Sequence, residues 1–75
     1  MKAIGELFQL SKAELIEYFN LINITKHQLY ELLYSLEIKP DNNHSKKLLI
    51  DFTAREISDT GMYIRICKNI MDTSN

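Results

Sequence analysis

The chain has 75 residues, a single cysteine and a formal net charge of -1. One cysteine excludes an internal disulfide, and with only two histidines it makes no spaced zinc set. The near-neutral balance excludes a general nucleic-acid coat, which needs a strongly basic surface, but leaves site-specific DNA reading open because a few local cations suffice.

The charge is evenly spread. Through Pro40 four lysines stand against five glutamates, and beyond it five basic residues face five acidic ones. A chain this short makes one domain, residues 1–75, and buries only about 60% of its unfolded surface. Its stability comes from a compact core or from a partner, and a homodimer is expected. No apolar run reaches membrane-spanning length, so no membrane insertion is expected. Met1-Lys2-Ala3-Ile4-Gly5-Glu6 meets an acid too early for a secretory signal, which makes a reducing cytoplasm the default location.

Ile4, Leu7 and Phe8 sit at i, i+3 and i+4, and predict a short helix over residues 2–9. Gly5 weakens it by about 1 kcal/mol. Leu10-Ser11-Lys12-Ala13-Glu14-Leu15 then gives a helix-start signal that recurs as Ile24-Thr25-Lys26-His27-Gln28-Leu29. Each has a hydroxyl N-cap, a Glu or Gln three residues on, and apolar residues just before the cap and four after it. That is a capping box within a hydrophobic staple. The second helix is expected over residues 12–22, with an apolar stripe of Leu15, Tyr18, Phe19 and Ile22. Asn20 and Asn23 bracket its end, since Asn tolerates the left-handed backbone of a helix stop. The third helix is expected over residues 26–37 on Leu29, Leu32, Leu33 and Leu36, closed by Lys39-Pro40.

Beyond Pro40 the reading changes. Residues 41–46 form a polar linker. Residues 47–70 read as a β-hairpin. Leu48, Ile50, Phe52 and Ala54 alternate on one strand, Ser58-Asp59-Thr60-Gly61 supplies the turn, and Ile64, Ile66 and Ile70 share a face on the return strand. Residues 71–75 are a frayed tail. The expected fold class is α+β, three short helices followed by an antiparallel hairpin packed on them.

The two closely spaced capped helices resemble the helix-turn-helix of many bacterial and phage regulators, which read apolar-Ser/Thr-Arg/Lys-x-x-apolar-Tyr where this chain has Ile24-Thr25-Lys26-His27-Gln28-Leu29-Tyr30. On that plan Asn23 takes the tight-turn position usually held by glycine, and Phe19 stands where the support helix usually has alanine. The resemblance implies DNA contact by Thr25, Lys26, His27, Tyr30 and Tyr34. Lys26 would reach a phosphate or guanine edge, His27 a base or phosphate, and Tyr30 a phosphate or thymine methyl. A helix N-terminus repels a cation, so His27 would serve as a neutral donor or acceptor. Glu31 fits poorly opposite phosphates.

Phe52-Thr53-Ala54-Arg55-Glu56, followed by Thr60-Gly61, Tyr63 and Ile64-Arg65-Ile66, resembles the carboxy-terminal half of the small enterobacterial GnsA/GnsB family. That resemblance implies a small cytoplasmic regulator linked to membrane-lipid composition and to toxin–antitoxin modules, with no catalytic residue to carry over.

No glycine-rich phosphate loop, nucleophile elbow or paired-histidine helix is present, so neither enzymatic activity nor a cofactor is expected. Two partner classes follow. The first is duplex DNA, read by the third helix. The alternative is a host or cognate protein, bound on the Tyr30/Tyr34 face by a toxin–antitoxin component or a phage-encoded inhibitor, because paired exposed tyrosines suit a protein interface.

Overall fold

The computed structural model describes residues 1–40 and 44–73, and the helices α1 (Ile4–Leu7), α2 (Lys12–Leu21), α3 (Lys26–Ser35) and α4 (Lys46–Thr73) account for its regular structure. The described residues contain no strand. The expected β-hairpin over residues 47–70 is therefore replaced by one long helix, and the fold is all-α rather than α+β.

The first two repeated signals act as read. Ser11 Oγ accepts from the Glu14 N–H at 3.2 Å, and Glu14 Oε1 accepts from the Ser11 N–H at 3.1 Å. Thr25 and Gln28 repeat the reciprocal pair at 3.1 and 3.0 Å. Both helices also stop in the same way. At the end of α2 the Ile24 N–H donates to the Phe19 carbonyl and the Asn23 N–H to that of Asn20, with Asn23 at φ 51°. At the end of α3 the Ile38 N–H donates to Leu33 and the Glu37 N–H to Tyr34, with Glu37 at φ 61°. These are Schellman stops, which satisfy carbonyls the helix would otherwise leave open. The Lys39-Pro40 signal lies past the stop at Glu37.

A third cap starts α4. Ser45 Oγ accepts from the Leu48 N–H at 3.3 Å, and the Ser45 carbonyl accepts from the Leu49 N–H at 2.9 Å. The helix starts at Lys46, so the expected 41–46 linker ends at Ser45. Its residues 41–43 lie outside the described residues, as do residues 74 and 75 of the expected tail, whose residues 71–73 belong to α4.

The stretch is helical because its apolar residues satisfy a second period. Leu49, Ile50, Thr53, Ala54, Ile57 and Gly61 are all buried, at helical spacing. The alternation of Leu48, Ile50, Phe52 and Ala54 crosses this stripe: Ile50 and Ala54 face the core, whereas Leu48 is 58% exposed. Gly61 is not a turn residue. It lies inside α4, where a Cβ would overlap the Phe8 carbonyl oxygen and come within 3.0 Å of its carbon. Glycine here allows the chain after α1 to lie against α4.

α1, α2 and α3 all pack on α4, which is the central element. Leu7, Leu15, Phe19, Ile24, Leu29, Leu33, Leu49 and Ile57 form a fully buried core. Phe19 is the largest of these side chains and is fully buried, at the position where the helix-turn-helix plan has a small residue. Just past Gly61, Met62, Tyr63, Ile64 and Ile66 of α4 are all exposed. Among the described residues no helix is long and apolar enough to cross a membrane.

Candidate interaction surfaces

The five residues singled out on the third helix do different jobs. Thr25 is committed to structure, because its hydroxyl accepts from the Gln28 N–H and donates to Gln28 Oε1 at 3.3 Å. Tyr30 is half-buried against the core. Lys26, His27 and Tyr34 are exposed. His27 Nε2 lies 3.0 Å from Glu31 Oε1, one turn along. The structure thus brings Lys26, the His27–Glu31 pair and Tyr34 onto open surface, leaves Thr25 exposed but engaged in the cap, and tucks Tyr30 partly against the core. The resulting face carries one lysine, one carboxylate tied to an imidazole, and a tyrosine 58% exposed.

A second feature lies between α2 and the start of α4. Ile16, Asn20, Lys46, Lys47, Ile50 and Asp51 line a groove of about 570 Å³. Lys46 Nζ donates to Asn23 Oδ1 at 3.0 Å, tying the start of α4 to the α2 stop. Lys12 Nζ pairs with Asp51 Oδ1 at 3.2 Å on the groove's rim. Of the cations at this groove, Lys46 and Lys12 are thus held by contacts within the protein, and Lys47 is exposed.

The third feature is the solvent face of α4. Reading residues 47–70 as strands hid it, because a period of two scatters its members over both faces. A period of 3.6 gathers Leu48, Phe52, Arg55, Asp59, Met62 and Ile66 onto one line. Beside that line the Tyr63 phenol is pushed above its ordinary pKa by the neighbouring Cys67 side chain. Cys67 is half-exposed, one turn from Tyr63.

Among the described residues no group of three or more His, Cys, Asp or Glu side chains is placed to hold a metal ion. Comparison with protein-family models, with curated proteins and with solved structures found no match.

Proposed function

We propose that this is a small non-enzymatic regulatory protein of the cytoplasm that works by binding another protein through the open face of α3. The charge-balanced, aromatic character of that face carries the reading. A DNA reader needs cations opposite phosphates, whereas this face sets one lysine, Lys26, beside the His27–Glu31 pair, and Tyr34 is the largest exposed side chain on it. A well-exposed tyrosine flanked by a paired His and Glu is the composition of a protein hot spot with a polar rim. The resemblance of residues 52–66 to the GnsA/GnsB family implies a small regulatory protein linked to toxin–antitoxin modules, which is compatible with this reading.

Duplex DNA is the second reading, favoured by Lys26 and His27 standing exposed in the first turn of a capped helix. One pair of experiments separates the two. Affinity capture with the wild-type chain should recover a stoichiometric protein partner, and Tyr34→Ala should weaken that complex by roughly 30-fold, the size expected for a hot-spot tyrosine. Duplex DNA should show no salt-dependent retardation between about 50 and 200 mM salt. Retardation that is lost in Lys26→Ala would instead establish the DNA reading.

A further inference from the structure

We propose that the solvent face of α4 is a self-complementary docking stripe whose occupant is a second copy of this chain, lying antiparallel. α4 spends one face on the core, through Leu49, Ile50, Thr53, Ala54, Ile57 and Gly61. The opposite face carries Leu48, Phe52, Arg55, Asp59, Met62 and Ile66, separated by four, three, four, three and four residues. That is the spacing of a helix–helix seam. Leu48, Met62 and Ile66 are 58%, 53% and 51% exposed, Arg55 and Asp59 are exposed, and Phe52 is half-buried. α1, α2 and α3 pack on the core side of α4, and of the six stripe residues Phe52 is the one with cover, its ring stacked on His44 at 6.3 Å between centroids.

The order of these residues identifies the occupant. Read from either end, the stripe runs aliphatic, bulky apolar, charge, charge, bulky apolar, aliphatic, and the two central charges are opposite in sign. Turned end for end against itself, Leu48 meets the partner's Ile66, Phe52 meets the partner's Met62, and Arg55 meets the partner's Asp59. A two-fold contact requires this reciprocity, with residue i on j and j on i. The rotation axis passes midway between Arg55 and Asp59, at the level of Ile57. A parallel pairing would set Arg55 on Arg55 and Asp59 on Asp59, which like-charge repulsion opposes. An unrelated partner would give the stripe no reason to match its own reverse.

The contact runs about 27 Å along the helix at 1.5 Å per residue. It buries on the order of 1,000 Å² in total, at the lower end for a specific interface, so the dimer dissociates on dilution. The stripe is on a different helix from Tyr34 and is independent of the α3 reading.

Sedimentation equilibrium on the full chain tests it. The wild type should be a concentration-dependent dimer. Arg55→Asp alone and Asp59→Arg alone each set two like-charge pairs in the seam and should weaken dimerisation by about 100-fold. Mixed in equal amounts, the two variants should form a heterodimer, because each supplies the charges the other lacks. Both positions are exposed, so circular dichroism should be unchanged. Ile66→Lys, which lies beyond the folded body, provides a second check and should also give monomer. A wild type that stays monomeric at millimolar concentration overturns the proposal, as does a dimer indifferent to both charge reversals or a variant mixture that fails to recombine.

Discussion

Thr53 is fully buried on α4, and its hydroxyl has no hydrogen-bond partner among the described residues. A buried hydroxyl left open costs on the order of 1–3 kcal/mol, and valine has nearly the same shape without that cost. Thr53→Val should therefore raise stability by about 1 kcal/mol, read as a melting temperature about 4–8 °C higher. Glu37 is a second residue at odds with its setting, since it holds φ 61° with a Cβ. Asn23 occupies the equivalent stop of α2, where its short amide tolerates that conformation. Glu37→Gly should stabilise by about 1 kcal/mol in a urea titration, because glycine takes this backbone without strain. Asn23→Gly should gain less, because it also removes the amide that accepts from Lys46 Nζ. The Asn23 stop was legible from the residue type, but the Glu37 stop was not, because nothing in a glutamate signals a left-handed backbone.

The two capping boxes differ in one charge, and this gives the helices different acid responses. The Ser11 N–H, and then the Ser11 hydroxyl, hold the Glu14 carboxyl below its ordinary pKa. A depressed folded-state pKa means that the contribution is present above the unfolded carboxyl's pKa and is lost as pH falls through the lower folded value. Gln28 does the same work in α3 without titrating. Amide exchange at the start of α2 should accelerate as pH falls from about 6 to about 3, after correction for the intrinsic rate, while the start of α3 holds. Glu14→Gln should remove that difference. The same boxes, read as Ser-x-x-Glu and Thr-x-x-Gln, fixed α2 and α3 to within a residue or two at sequence level.

α4 was misread for a physical reason. Six consecutive residues, Leu48 to Thr53, include four large apolar side chains, and such a run satisfies a period of two and a period of 3.6 alike. Ser58-Asp59-Thr60-Gly61 then supplied an apparent turn to complete the hairpin. The arbiter was Gly61, whose role depends on the Phe8 backbone far away in sequence. Gly61→Ala should destabilise by about 1–3 kcal/mol in thermal melts even though alanine is the better helix former. A turn glycine at a positive φ would also resist alanine, so the companion variant is Thr60→Ala. In a helix that change is tolerated.

At the scale of the molecule, three short helices pack on one side of a longer one, and on its other side Leu48, Arg55, Asp59, Met62 and Ile66 stand exposed. Of the residues singled out on the third helix, Lys26, His27 and Tyr34 are exposed, Thr25 is exposed but engaged in the cap, and Tyr30 is half-buried against the core. The seam on α4 was present in the sequence throughout, since Leu48, Phe52, Arg55, Asp59, Met62 and Ile66 are matched about their midpoint, but it becomes visible only once the segment is read as a helix.

The central claim is that this palindromic face joins two copies end for end. Distances between single spin labels on the two copies, in a Cys67→Ser background, test it most directly. Antiparallel pairing places labels at Ser58→Cys close together, separated by little more than the 8–10 Å between helix axes, and labels at Lys47→Cys about 30 Å apart along the helix. Equal short distances at both positions would mean a parallel pair, and no dipolar coupling at either would mean that the face does not self-associate. Either result would contradict the account.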